Sequence, residues 1–474
     1  KNKIIMCITS LCVLCCSLFT SSNALGLSIK HYTDTKTRQL ISRYRAHIGL
    51  IISNNKGQIQ YQKNAQSYFN SASILKLFTA SAAILSLGEN FKFKTQLLVS
   101  GYKKNTILNG NVYLHFSGDP DLTFNDIKNL FQQLKSHGIR KITGDIVLDD
   151  NQFNHTQYPP GTAVDDLAYS YASPIDAMTI NENKFGITIN PKRANASPKL
   201  LSSLPSGTVH FNNQLVSTKK NKDCDIIIRS DGHNHYSLSG CVPITYGKQA
   251  ESLAIRDIFS VANIRIHRIL QKENIVLAGN IIRGQAPINA KRISTHKSKP
   301  LKSIIKDMLK DSDNLVSNTL IKAISFHSNK TQGSFTDGLK RMKKILHRTT
   351  GIQFKHTHIQ DGAGLSMYNL ITPKQVLKLL IAIHKNPILK RTILPALPIA
   401  GIDGTLSGRM HLLAKKRRLR AKTGTLTGVS NIAGYCNTQH HGKLMFVIMV
   451  DQYINKAKPI RYWANQYLTT LALK

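Results

Sequence analysis

Residues 73–88 read Ser-Ile-Leu-Lys-Leu-Phe-Thr-Ala-Ser-Ala-Ala-Ile-Leu-Ser-Leu-Gly. A serine opens the stretch and a lysine follows three residues later. The spacing of Leu75, Leu77, Phe78, Ala82, Ile84 and Leu85 predicts a buried helix over 73–87, closed by Gly88. On a helix, positions i and i+3 share a face, so Lys76 stands one turn from Ser73. A neutral amine there can take the serine proton, and the helix start offers N–H groups to a developing oxyanion. Ser-x-x-Lys alone says little, because it occurs six times, beginning at Ser53, Ser73, Ser100, Ser217, Ser294 and Ser303. Only the Ser73 copy opens a long apolar helix.

Two further short motifs each occur once. Ser312-Asp313-Asn314 precedes helix-like Leu315, Leu320 and Ile321. Taken alone it reads as a helix N-cap. Lys422-Thr423-Gly424 lies in a predicted edge strand, Ala421 to Leu426, where glycine lets a ligand backbone approach and add as a strand. Taken alone it reads as surface strand. The order of the three, each on a compatible element, makes them one constellation.

The surroundings alternate in type. Residues 47–62 read as a strand pair turning at Asn54-Asn55-Lys56-Gly57. From about 95 to 284 the pattern is β-rich, punctuated by Ser117-Gly118-Asp119-Pro120 and Pro159-Pro160-Gly161. Helical periodicity occupies 301–325, 334–347 and 373–385, and strands follow at 420–427, 431–437 and 444–451. An amphipathic helix begins near Pro459, suited to core packing or, less simply, to membrane contact.

Composition bounds the setting. In 474 residues, 64 Lys and Arg oppose 25 Asp and Glu, a formal charge of +39. Such a surface attracts polyanions: nucleic acid, anionic lipid or acidic wall polymers. A general basic bias explains it equally well. Lys415-Lys416-Arg417-Arg418 resembles a nucleic-acid patch but runs straight into the Lys422 motif, as a solvated approach to a strand. Lys1 and Lys3 precede an apolar run from Ile4 to Phe19, then Ser22-Asn23-Ala24, the shape of a secretory signal over 1–24; an uncleaved anchor is the alternative. No later stretch has the ~18 apolar residues of a spanning helix. Four of the seven cysteines lie in that leader. Of the rest, Cys224 and Cys241 either pair in an oxidising compartment or stay as thiols beside Cys436. His233 with His235, and His356 with His358, lack any metal-binding motif and read as loop histidines. No cofactor is expected.

The ordered trio resembles that of penicillin-binding proteins and class A β-lactamases. Position 312 lies 239 residues beyond position 73, far more than a class A β-lactamase places there. The length resembles the class C low-molecular-mass penicillin-binding proteins, the D-alanyl-D-alanine carboxypeptidase/endopeptidase family of serine peptidases. So do Gly118-Asp119-Pro120, Gly144 to Asp150, Asp165-Asp166-Leu167, Asp361 to Ser366 with Asn369, Asp403 to Leu406, and Ala421 to Leu426. Coverage runs from about residue 45 to the end.

The resemblance implies a mixed α/β (α+β) fold: a transpeptidase-like core with an antiparallel sheet flanked by helices, interrupted by two inserted β-rich domains. The expected boundaries are 25–94 and 285–474 for the core, 95–175 and 255–284 for the second domain, and 176–254 for the third. It implies an exported enzyme, in the periplasm or on the outer face of the cytoplasmic membrane. The expected substrate is the peptidoglycan stem peptide ending in D-Ala-D-Ala, or D-Ala-diaminopimelate cross-links, with β-lactams acylating the same serine. Anionic envelope polymers are a candidate partner; nucleic acid is not, for want of a motif. The rival readings are a serine β-lactamase and a non-hydrolytic peptidoglycan-binding protein.

By the same resemblance, Ser73 is the nucleophile and Lys76 its general base, kept neutral with help from Lys422. Ser312 relays a proton to the leaving amine, and Asn314 orients Lys76 and the substrate amide. Backbone N–H groups of Ser73 and Thr425 form the oxyanion hole, Lys422 and Thr423 hold the terminal carboxylate, and Gly424 gives the strand room. Asp166 and Tyr171 line a subsite for the amino end of the stem, or serve only in loop packing; Asp361 and Gly364 form a turn. Met367 stands where the family often has arginine, and Thr162 where it tends to have tryptophan.

Overall fold

The computed structural model describes residues 29–219, 224–453 and 457–473. The expected leader over 1–24 lies outside them. Among the described residues no helix is long and apolar enough to cross a membrane.

The chain builds a five-stranded antiparallel sheet from its two ends. Strands β1 (His47–Asn54) and β2 (Ile59–Lys63) come from the first segment; β3 (Leu419–Leu426), β4 (Val429–Asn437) and β5 (Lys443–Asp451) come from the last. The order is β2-β1-β5-β4-β3, which leaves β3 at an edge. Strand periodicity then divides two cores. Leu444, Phe446, Ile448 and Val450 face helix α1 (29–44) and the C-terminal helix Ala457–Leu473, while Met445, Val447 and Met449 face the opposite side. Both faces are covered, which is why β5 reads as one apolar run. The C-terminal helix buries Tyr467, Leu468 and Leu471, so it packs on the sheet.

On the other face lies helix α2 (Lys76–Leu87), almost entirely buried, as its composition requires. The helical region expected over 301–325 is two helices, α5 (Leu301–Asp311) and α6 (Asn314–Asn329), numbered after α3 (Phe124–Ser136) and α4 (Ile258–Glu273). The break falls at Ser312, whose φ of 63° no α-helix tolerates. The helix Phe335–Thr350 packs beside α6 and α2.

Between β2 and α5 the described residues form four further sheets, and also α3 and α4, which the β-rich reading passed over. Thr123 and Asp126 make a capping box at the start of α3, with Ile127, Leu130, Phe131 and Leu134 buried; this signature was readable. One inserted sheet orders Ile281–Arg283, Ile146–Asp149, Val112–His115, Lys94–Val99 and Lys291–Lys297. Its last strand extends past position 284, pairing antiparallel with Lys94–Val99. Two three-stranded sheets lie within 184–254, and there Cys224 and Cys241 are disulfide-bonded while Cys436 is a buried thiol on β4. The run Lys415–Arg417 is exposed and leads directly into β3.

Candidate active site

Ser73 sits in a 3-10 turn, Ala72–Leu75, and α2 proper begins at Lys76. Residues three apart eclipse in such a turn, which brings Lys76 Nζ to 2.9 Å from Ser73 Oγ. Ala72 holds a positive φ of 41° to make this entry. Two glycines let neighbouring backbone close over it. A Cβ at Gly364 would lie 1.8 Å from Ala72 O, and one at Gly424 would lie 2.9 Å from Ser73 N.

The Lys76 amine is fully buried and has three oxygen partners: Ser73 Oγ, Asn314 Oδ1 at 2.6 Å and Ala363 O at 2.7 Å. The Asn314 amide cannot be turned round, because its nitrogen donates to Tyr171 O at 2.8 Å and a carbonyl can only accept. As an ammonium, Lys76 donates to all three. As a neutral amine it keeps two donors for the two obligate acceptors, and its lone pair faces the Ser73 hydroxyl. The site therefore accommodates the base form without losing a bond.

Burial pushes Lys76 down to about 8, opposed by the charges of Asp361 and Asp313. Lys422, also fully buried, lies well below its ordinary value through burial first and the Lys76 charge second. Desolvation is thus the main cause at both lysines. The repulsion expected between them acts on Lys422 and not on Lys76, whose value is lowered by burial and not by Lys422.

Asp361 shapes the third wall. Its carboxylate accepts from the N–H groups of Ala363, Gly364, Leu365 and Ser366 and from the Asn369 amide. That cage aims the Ala363 carbonyl at Lys76. The sequence marked Asp361 as turn-forming but not Ala363 as a partner of the base, since a backbone carbonyl leaves no mark on composition.

Ser312 and Asn314 flank the α5–α6 junction. Asp313 is the N-cap of α6, accepting from Val316 N at 2.7 Å. The motif is a helix cap and part of the cluster together. Lys422 Nζ donates to Ser312 Oγ at 2.8 Å and to Thr423 O at 2.8 Å. Thr423 Oγ1 donates to Thr405 Oγ1 at 2.7 Å, a contact of the Asp403–Leu406 stretch that sequence reasoning did not place here. Ala421 N leaves the sheet edge to bond Pro398 O. By the period of two, Thr423 and Thr425 turn their N–H groups to the same edge.

Ser73, Ser312, Asn314 and Thr425 open into a cleft of about 610 Å³ whose walls carry Asp165, Asp166, Tyr171, Met367 and Leu426. The Tyr171 hydroxyl donates to Asp166 Oδ1 at 2.9 Å. Thr162 Oγ1 donates to Pro159 O, within a turn that Ser366 Oγ holds through Pro160 O. A larger groove of about 670 Å³, between α1 and the C-terminal helix, contains none of these residues. Among the described residues no three His, Cys, Asp or Glu side chains gather as a metal site.

The cluster supplies a hydroxyl, a buried amine with an available lone pair, a second hydroxyl–lysine pair and an open strand edge. That combination suits acyl transfer to serine from a peptide laid along β3.

Comparison with known proteins agrees. The family model described as D-Ala-D-Ala carboxypeptidase 3 (S13) matches residues 35–467. The chain is 34% identical over 413 residues to the D-alanyl-D-alanine carboxypeptidase DacB of Haemophilus influenzae, covering 86% of each. Among solved structures it is similar to penicillin binding protein 4 (dacB) from Haemophilus influenzae, with a TM-score of 0.84, 32% identity, and coverage of 92% of this chain and 99% of that one. The same protein complexed with a novel β-lactam gives a TM-score of 0.79 at 31% identity with the same coverage.

Proposed function

Because the chain belongs to the D-Ala-D-Ala carboxypeptidase 3 (S13) family, we propose that it is a serine DD-peptidase in which Ser73 is the nucleophile and Lys76 the base. The observation that carries the assignment is the bonding of Lys76 Nζ to Ser73 Oγ, Asn314 Oδ1 and Ala363 O. The substrate is the peptidoglycan stem peptide ending in D-Ala-D-Ala, and β-lactams acylate the same serine.

Ser73 Oγ attacks the penultimate D-Ala carbonyl as its proton passes to Lys76 Nζ. The carbonyl oxygen becomes an oxyanion held by the N–H groups of Ser73 and Thr425, each such donor worth about 3 kcal/mol. When the C–N bond breaks, Ser312 relays to the departing D-Ala nitrogen the proton that Lys76 took from Ser73, with Lys422 supporting the relay, so Lys76 is again neutral. Lys422 and Thr423 bind the terminal carboxylate, whose charge favours the protonated form of that lysine. Water then attacks the acyl-serine as its proton passes to Lys76, which returns it to Ser73 Oγ when the shortened stem is released. Asp166 and Tyr171 receive the amino end of the stem, and the same geometry extends the reading to D-Ala-diaminopimelate cross-links. The excess positive charge suits work among anionic polymers of the envelope, on its outer side.

Labelling with a fluorescent penicillin tests this. Wild type is expected to be labelled covalently and Ser73→Ala not at all; labelling that survives the substitution sinks the assignment. Label lost within seconds would favour a β-lactamase. Digestion of purified cross-linked muropeptides, with products identified by mass, measures the endopeptidase share.

A further inference from the structure

Lys322 is a third fully buried lysine beside Lys76 and Lys422, on α6 a little over two turns from Asn314, and the mechanism above does not use it. Its Nζ donates to Thr156 O at 2.7 Å, Asn154 O at 2.9 Å and Ile175 O at 3.3 Å. The rings of Phe335 and Phe153 face it, with centroids 5.0 and 5.7 Å away. Burial pushes its amine down to about 8, and the charge of Asp176 opposes that shift.

Partner chemistry separates Lys322 from Lys76. All three oxygens around Lys322 are backbone carbonyls, which can only accept. They match the three donors of an ammonium and leave nothing for a lone pair to face. The aromatic faces favour the same charged form. Lys76 has a hydroxyl as its third partner, and that difference lets one lysine move a proton while the other holds structure.

What Lys322 holds is the neck of the segment 157–175. Ile175 N donates to Gln157 O at 3.0 Å and closes the base of this segment. Just before it, Asn154 N donates to Gly333 O. The far end carries Asp165, Asp166 and Tyr171 into the Ser73 cleft, and Tyr171 O accepts from Asn314. We propose that Lys322 is a positioning residue whose ammonium pins the neck of 157–175, setting Asp166 and Tyr171 at the distance from Ser73 that selects the stem peptide. This rests on the reading of Ser73 as nucleophile.

Lys322→Met keeps length and apolar packing but removes the three donors. Its KM for a D-Ala-D-Ala stem peptide is expected to rise about tenfold or more, while acylation by benzylpenicillin, which is smaller than a stem, stays within about threefold of wild type. Parallel loss of both rates, or an unchanged KM, overturns the proposal. Absence of acylation in the wild type would instead overturn the assignment of Ser73.

A measurement on the wild type serves if the variant does not accumulate as folded protein. Amide exchange at Ile175, corrected for intrinsic rates and referred to β5, is compared at about pH 7 and about pH 9.5. Asp176 is the charged group that acts on Lys322, and Asp176 in turn acts on Asp150 together with Arg283 and His155. Loss of the Lys322 proton leaves two donors for three carbonyls, so protection at Ile175 is expected to fall about threefold or more. Unchanged protection overturns the proposal.

Discussion

The amide nitrogen of Asn314 donates to the backbone carbonyl of Tyr171, 2.8 Å away. This bond turns the amide oxygen toward Lys76 and ties the catalytic cluster to a segment about 140 residues earlier in the chain. Asn314 is expected to orient both Lys76 and the substrate amide; its oxygen meets Lys76, and its nitrogen also serves the protein through Tyr171 O.

Asn314→Asp should expose that dependence. A carboxylate would face the Tyr171 carbonyl without a donor and would place a negative charge beside Lys76. Acylation by penicillin at neutral pH is expected to fall about 100-fold, and its dependence on pH to move upward, because the added charge favours the ammonium. Stopped-flow acylation across pH measures both effects.

The wild-type pH profile follows from Lys76. Burial lowers the folded value to about 8, and the base must be neutral to act. Acylation should therefore rise with pH up to about 8 and level off above it, falling roughly tenfold for each unit below. A rate independent of pH between about 6 and about 9 would remove Lys76 as the base.

Gly424 tests the close approach of β3. A Cβ there would meet Ser73 N and Ala72 Cβ at 2.9 Å each. Gly424→Val is expected to push the strand edge off the nucleophile, costing about 1–3 kcal/mol of stability and about 100-fold in acylation. Denaturant titration and labelling rate read the two separately.

Asp361 should matter to stability before catalysis. Asp361→Ala strands four backbone N–H groups in a buried turn and takes one of two acceptors from the Asn369 amide nitrogen, which keeps Ser366 O. A loss of about 3 kcal/mol or more is expected by chemical denaturation. Acylation falls with it as Ala363 O leaves Lys76.

Much of this protein was legible because its chemistry is written in short spans. Ser73 and Lys76 are one turn apart, so any helical reading brings them together, and an apolar stretch such as 444–450 announces a strand covered on both faces. The three motifs and the long insertion followed from local pattern and order, and the antiparallel core from the family resemblance those motifs carry. α3 and α4 were missed because α3, despite a readable cap, was outweighed by its β-rich neighbours.

Three decisions belonged to the tertiary structure. It brought Lys422 to Ser312, 110 residues away, and Ala363 to Lys76; contacts at such separations depend on how whole elements pack. It determined that desolvation, and not repulsion from Lys422, lowers Lys76. It also separated two buried lysines by whether a third partner can donate. Sequence names the ionisable group, but its proton is governed by the surrounding oxygens and the water excluded, and both exist only after folding.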